Sequence, residues 1–402
     1  MLKNIARSPL QKALLAITVV VSIILQYPQP QLDLSYYTSL ASDYTGSTAA
    51  EQNAPLDGLN IVITGATSGL GLSLTKKLYN LGGTIIAVGR SQSKLAKLVE
   101  DLNENNKYQK RKRIIPVLAD FQDLDSVSLA ANEIKSKFKK IDYLVNNAGM
   151  MYQTFGIERS TPQGYDEVFG VNYLSHFLLT EKLLPSLKRS KLVNGSRIIQ
   201  IASSMHLMVN GDDLVPSMSS SSVAPYASQP SSSSLHSMRS YGNSKLAQIY
   251  HARSLTRELE ADKDNKGAPV QVVSICPSWV ATHIAGASFK NVLDIFAFQS
   301  DGFGVAPILF AMFHRDVGVS GDYVTSCSVL EGKVLAFTEG AASLVSIPFY
   351  REVFLSIGAM VLLGLQKIFA NVGFRETTRE AYDFTKQDAL YKWSKAAIEP
   401  WM

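Results

Sequence analysis

Leu59-Asn60-Ile61-Val62-Ile63-Thr64, then Gly65-Ala66-Thr67-Ser68-Gly69-Leu70-Gly71, then Leu72-Ser73-Leu74-Thr75-Lys76-Lys77-Leu78-Tyr79-Asn80-Leu81-Gly82 reads as a strand, a glycine-rich turn and an amphipathic helix. The first run is short, apolar and β-branched, as suits a strand covered on both faces. Glycine lets the backbone turn sharply and lets a pyrophosphate approach the amide groups at the positive end of the following helix. The spacing is Gly-x3-Gly-x-Gly, not the commoner Gly-x-Gly-x2-Gly, and its strand-turn-helix setting makes it a strong dinucleotide-binding signal.

The alternation continues downstream. Thr84–Val88, Ile114–Leu118, Ile141–Asn146, Arg197–Ala202, Val270–Ile275 and Asp322–Thr325 are further strand-like runs, alternating with helix-length amphipathic segments. That is the βαβ signature of a parallel sheet with helices on both faces. The expected fold is α/β, a doubly wound (Rossmann) domain with a seven-stranded parallel sheet over residues 57–330. Val209–Ser240 breaks the rhythm with Ser219–Ser222, Ser231–Ser234, Pro216, Pro225 and Pro230, and is expected to loop out as a mobile insertion.

Two more features carry chemistry. The second run ends Ala87-Val88-Gly89-Arg90-Ser91, where an NAD-selecting site would place an acidic residue for the ribose 2′-hydroxyl. A guanidinium pairs instead with a 2′-phosphate, so NADP(H) is the expected cofactor; the bland reading of Arg90 is a solvent-facing strand end. Tyr241-Gly242-Asn243-Ser244-Lys245 puts a phenol and an ammonium four residues apart on one helical face. Alone, that pair is commonplace. Together with the glycine turn and Asn146-Asn147-Ala148-Gly149 at the end of the fourth run, it becomes specific.

In this order the motifs resemble those of the short-chain dehydrogenase/reductase family, from about Leu59 to Ser328. The resemblance implies that Gly65, Ser68, Gly69, Leu70 and Gly71 form the phosphate turn, that Asp120 lies near the adenine, and that Asn147 stabilises the central sheet beside the cofactor. It implies a tetrad of Asn172, Ser203, Tyr241 and Lys245, with Pro277 and Thr282 near the nicotinamide. Hydride would move between nicotinamide and a carbonyl carbon while Tyr241 exchanges the proton. Lys245 would favour the phenolate of a side chain whose ordinary pKa is about 10, and would also bond the nicotinamide ribose. Ser203 would donate to the substrate oxygen and Asn172 would hold a relaying water. Thr161–Thr180 looks most like the retinol-dehydrogenase branch, including polyprenol/dolichal-type enzymes, which implies long isoprenoid alcohols and aldehydes as substrates. A sterol or ketosphingoid reductase is the near alternative.

Two departures from the family pattern stand out. The family keeps its serine and tyrosine close in sequence, whereas here 38 positions separate Ser203 from Tyr241. Closing a longer flexible loop costs only about 0.6 kcal/mol per doubling, so the helix can still dock. Ser278 follows Pro277 where the family has glycine, and is expected to tighten the backbone around the nicotinamide. Ser204 is the reserve candidate for Ser203. His176 and His206 lack Cys or carboxylate partners at metal-ligand spacing; both are read as structural, and no metal is expected.

The 402-residue chain is mildly basic, with 39 Lys and Arg against 34 Asp and Glu, and no dense basic face with interleaved aromatics appears beyond Lys107–Arg113. Nucleic acid is not an expected partner, and that run is read as a solvated helix end and turn. Cys276 and Cys327 are too few for a disulfide framework or a cysteine zinc site and favour a reducing compartment. Ala13–Leu25 is uncharged and follows Lys3, Arg7 and Lys12. As a helix it spans about 20 Å, short of the ~30 Å hydrocarbon core. Residues 1–30 are read as an uncleaved membrane anchor, with a cleaved signal peptide as the rival, and 31–56 as a polar linker. Residues 331–402 form a C-terminal extension whose uncharged Val353–Leu365 is expected to contact the membrane.

Two arguments on sidedness conflict. The early positive charges place the domain in the lumen if the anchor is a true span. Low cysteine content and a need for NADPH favour a cytosolic face, which is preferred, at the endoplasmic reticulum membrane or a lipid droplet. Asn194-Gly195-Ser196 is a glycosylation sequon, expected to stay unmodified. The expected function is a membrane-associated NADP(H)-dependent oxidoreductase acting on a lipophilic alcohol and its carbonyl partner. The alternative is a catalytically idle, cofactor-binding subunit of a membrane complex. A homodimer is admitted, not required.

Overall fold

The computed structural model describes residues 34–46, 54–104, 113–151, 159–214, 234–262, 269–277, 304–315, 317, 321, 323–325, 373–374 and 379–402. Helix α1 (Leu34–Thr45) precedes β1 (Asn60–Thr64), α2 (Gly69–Asn80), β2 (Thr84–Gly89), α3 (Gln92–Glu104), β3 (Ile114–Leu118), α4 (Leu124–Lys137) and β4 (Tyr143–Asn146). A π-helical turn (Gly170–Leu174) then runs into α5 (Ser175–Leu187), followed by β5 (Arg197–Ile201), α6 (Ser234–Ala261), β6 (Gln271–Cys276), α7 (Ala306–Phe313) and β7 (Tyr323–Thr325). The seven expected strands pair in parallel in the order β3-β2-β1-β4-β5-β6-β7. An unforeseen two-residue strand, β8 (Gly373–Phe374), pairs antiparallel with β7.

Strand side chains alternate between two cores. Val62, Ile86, Val117, Leu144, Ile198 and Val272 pack beneath α4, α5 and α6. Ile61, Ile63, Ile85, Val145, Ile199 and Val273 pack beneath α2, α3 and α7. Each such side chain is fully or almost fully buried, which stabilises the fold by roughly 1.5–3 kcal/mol per residue relative to exposure. Strand order reverses between β1 and β4, so a crevice opens at the carboxyl ends of these strands, where such sheets bind ligands.

Four expectations need correction. The polar stretch read as a linker contains α1, whose Tyr37, Ala41 and Tyr44 are buried in the second core. Arg197, wholly buried, stacks 4.3 Å from the centre of the Tyr44 ring and donates to Ala311 O and Val317 O, each 2.8 Å away. The C-terminal extension likewise returns to the domain, where α8 (Phe384–Ile398) lays Leu390, Ser394 and Ile398 against the first core. Lys395 pairs with Glu181 of α5 at 2.6 Å, and Arg257 of α6 donates to Gln387 at 2.6 Å. The insertion is ordered at both ends: Leu214 is buried, and α6 begins at Ser234. Arg113 is not a solvated turn residue; it is 8% exposed and donates to Gly82 O at 2.9 Å.

The apolar runs 13–25 and 353–365, the bulk of the insertion and Thr282 lie outside the described residues. Among the described residues, no helix is long and apolar enough to cross a membrane.

Candidate active site

The glycine turn leaves β1 with Gly65 at φ +68° and enters α2 at Gly69 with φ +49°, both left-handed backbone that favours glycine. A Cβ on Gly71 would lie 2.3 Å from Gly65 O and 2.5 Å from Asn147 Nδ2, so only glycine permits the helix to sit this close to the turn. Asn147 Nδ2 donates to Thr64 O at 2.8 Å, fastening the end of β4 to the end of β1. Ser68 makes no side-chain cap at the start of α2, which leaves its first-turn amides facing the turn. Leu70 is buried behind it. Arg90 is exposed just past β2, and Asp120 Oδ1 accepts the Gln122 amide at 3.0 Å at the end of β3. A cradle that a Cβ would fill and helix-terminal donors at the end of β1 fit the pyrophosphate of a nicotinamide dinucleotide.

The four tetrad candidates come from three segments, Tyr241 and Lys245 sharing α6. The Asn172 side chain, fully buried, donates to Met150 O (2.9 Å) and Ser244 Oγ (3.0 Å) and accepts the Met150 amide (2.8 Å). It therefore clamps the loop after β4 to α6. Ser203 caps a 3-10 turn (Ser204–Met208), its hydroxyl accepting the Met205 amide at 3.3 Å, and lies near enough to Tyr241 to act on its phenol. The insertion does not keep them apart. Gly242 makes the approach possible, since a Cβ there would lie 2.8 Å from Met205 O. Ser240 Oγ donates to Asp166 Oδ1 at 3.0 Å, tying the segment before Tyr241 to the segment before Asn172. Lys245 Nζ lies 5.4 Å from the centre of the Tyr241 ring and donates to Ile201 O (2.7 Å) and Gln248 Oε1 (3.0 Å). The amide of Ser204 donates to Cys276 Sγ at 3.3 Å. Pro277 follows β6 at the same edge.

Burial dominates the electrostatics. It pushes Tyr241 well above the usual phenol range; the nearby Cys276 adds to this and the Ser203 hydroxyl opposes it. It pulls Lys245 down to about 7, with Cys276 opposing. The expectation that Lys245 drives Tyr241 toward phenolate is thus not met by these side chains alone. Tyr241 is held as a phenol, the form able to give a proton to a carbonyl oxygen, while Lys245 is poised to exchange protons near neutrality.

Several participants escaped the sequence reading. Ser244 and Gln248 each lie three residues from a tetrad member on α6, a helical spacing that the Tyr-x3-Lys motif already offered. Cys276 and Glu167 carried no local signal. Glu167 is 4% exposed, burial raises its carboxyl, and the charges of Arg90 and Asp120 reach it.

A sequence profile of the short chain dehydrogenase family matches residues 59–221. Polyprenol dehydrogenase from Homo sapiens is 30% identical over 269 residues, covering 65% of this chain and 75% of the relative. Retinol dehydrogenase 13 from Homo sapiens is 29% identical over 248 residues, 61% of this chain and 66% of the relative. A short chain dehydrogenase from Shigella flexneri, crystallised with NADP, superposes with a TM-score of 0.51 at 20% identity, over 68% of this chain and 98% of that one. The chain belongs to the short-chain dehydrogenase/reductase family, in its retinol-dehydrogenase-like branch, and is an oxidoreductase.

Proposed function

We propose that this protein is a membrane-associated, NADP(H)-dependent oxidoreductase that interconverts a long isoprenoid alcohol and its carbonyl partner, with Tyr241 as the acid/base group. The observation that carries the reading is the convergence of Ser203, Tyr241 and Lys245 across the insertion, with the Ser203 hydroxyl near enough to act on the Tyr241 phenol and Lys245 Nζ 5.4 Å from the ring centre. A bound nicotinamide cofactor supplies the hydride. Ser203 holds the substrate oxygen, Tyr241 gives or takes its proton, and Lys245 passes protons on while orienting the ribose. Asn172 fixes the loop at Met150 beside them. Gly65, Ser68, Gly69, Leu70 and Gly71 hold the pyrophosphate, with Asp120 toward the adenine and Asn147 bracing the turn. Pro277 and Thr282 are the residues proposed to contribute to nicotinamide binding.

The substrate class follows the polyprenol and retinol dehydrogenases among the relatives. The uncharged runs 13–25 and 353–365 supply membrane contact, which suits a substrate dissolved in the bilayer. The domain organisation proposed is an anchor before residue 31, a catalytic domain that takes in α1 and α8, and an apolar excursion between β7 and β8. Asn194 supports a cytosolic face at the endoplasmic reticulum or a lipid droplet. Its Nδ2 donates to Tyr44 O at 3.0 Å, and Ser196 of the sequon is wholly buried. A glycan there would displace α1.

Profiling the lipids of cells depleted of the protein tests the substrate class. Accumulation of a long isoprenoid alcohol or aldehyde is expected; a change confined to sphingoid bases or sterols would contradict it. Cofactor choice is tested by fluorescence titration with NADPH and NADH. The parent protein is expected to prefer NADPH, and Arg90→Ala to weaken NADPH binding about tenfold with little effect on NADH, the loss of a charge-assisted phosphate contact. Equal affinities in the parent, or an unaltered preference in the variant, would show that Arg90 does not read the 2′-phosphate.

A further inference from the structure

Thr64 Oγ1 is a hydrogen-bonding hub at the end of β1. It accepts the amides of Asn147 and Ala148, both at 2.8 Å. Its own proton has two acceptors in reach, His176 Nε2 at 2.9 Å and Val145 O at 3.4 Å. The shorter contact takes the proton, so Nε2 accepts and the other ring nitrogen carries the hydrogen. That nitrogen, Nδ1, lies 3.0 Å from Asn172 O and donates to it. The ring is wholly buried beside Phe121, centres 4.6 Å apart. Both polar ends of this buried imidazole are therefore used, one on each side of the proposed active site.

We propose that His176 is a positioning residue: as a neutral Nδ1–H imidazole it ties the Asn172 peptide to the Thr64 hydroxyl, and so fixes the spacing between the turn bearing Asn172 and the strand end bearing the cofactor loop. The proposal rests on the reading of Asn172 as a tetrad member. Burial lowers the imidazole to about 3, the hydrogen bond to Asn172 opposing and the charge of Lys245 adding to it, so the ring stays neutral throughout the physiological range. At the far side of the strut, the Asn172 side chain grips Met150 and Ser244. Rotation of the Asn172 peptide would move all three contacts.

His176→Phe keeps an aromatic ring against Phe121 and removes both polar ends. It is expected to lower kcat about tenfold and to weaken NADPH binding, read by fluorescence, a few-fold. In an Asn172→Ala background the same change is expected to leave kcat unaltered, because no Asn172 side chain remains to be positioned. Parental kcat in His176→Phe, or an equal loss in both backgrounds, would overturn the proposal, the latter marking general loosening. An Asn172→Ala protein with parental kcat would show instead that the reading of Asn172 has failed. Nitrogen-15 NMR of the histidine-labelled parent, with the His176 signal identified by its loss in His176→Phe, is expected to show that ring as an Nδ1–H tautomer unchanged from pH 8 to pH 5; an Nε2–H tautomer or titration of that signal in the interval would overturn the assignment.

Discussion

Tyr241→Phe is expected to cut kcat for carbonyl reduction by about 10³-fold, within the range general acid catalysis supplies. NADPH affinity should stay within about twofold of the parent, because the interactions proposed to bind the cofactor lie elsewhere. The ring packs with Val168 and Met205 and remains in the variant; only the hydroxyl is lost. Lys245 makes an instructive contrast. Its ammonium satisfies Ile201 O and Gln248 Oε1 inside the protein, so truncating it leaves buried acceptors unmet and disturbs fold and chemistry together. Steady-state kinetics with a parallel NADPH titration separates the two cases. A Phe variant that still turns over at more than a tenth of the parental rate would end the acid/base assignment.

The second large effect is on stability in mild acid. His176 and His251 are wholly buried, and burial holds each imidazole down to about 3. Unfolded, each titrates near 6.5, so below that pH the unfolded chain binds up to two more protons than the folded one. Stability is therefore present above pH 6.5 and is lost as pH falls. The slope approaches about 1.4 kcal/mol per histidine per pH unit, or about 2.7 kcal/mol for the pair between pH 7.5 and 5.5. Buried Glu167 and Glu181, whose carboxyls burial raises, work in the opposite direction, so a difference measurement isolates the imidazole. His251 sits among aromatic rings, 4.5 Å from Phe177 between centres. His251→Phe should thus remain folded and lose about half of the histidine-derived slope in urea titrations across this range. An unchanged slope would mean that His251 does not stay neutral in the folded state.

The sheet was legible because each parallel strand, covered on both faces, must be a short apolar run, and Leu59–Thr64 and Arg197–Ala202 are such runs between helix-length segments. The glycine turn and the Tyr-x3-Lys helix were legible for a similar reason: spacing alone encodes close approach and a shared face. Helix α1 was not. Its buried Tyr37, Ala41 and Tyr44 do recur at helical spacing, but serine, threonine and aspartate surround them, and its anchor, Arg197, lies far along the chain. Helix α8 hides its inner face for another reason. Two of its buried positions, Gln387 and Ser394, are polar and take partners from distant parts of the fold: Arg257 for the first and Tyr173 for the second, at 2.6 and 2.7 Å. The two-residue β8 is too short for any periodicity to show. Within the site, residue identities could be read ahead of the structure, but the charge balance could not. Burial depth decides that Tyr241 is held as a phenol and Lys245 near neutrality.

The central claim is hydride transfer to a lipid carbonyl with the proton supplied by Tyr241. It is tested most directly with the full chain in phospholipid vesicles containing a long isoprenoid aldehyde, using NADPH deuterated at the reactive position of the nicotinamide. The account predicts deuterium at the carbinol carbon of the product alcohol, detected by mass spectrometry, and none when Tyr241→Phe replaces the parent. NADPH binding without deuterium reaching isoprenoid, retinoid, sterol or sphingoid carbonyls would contradict it.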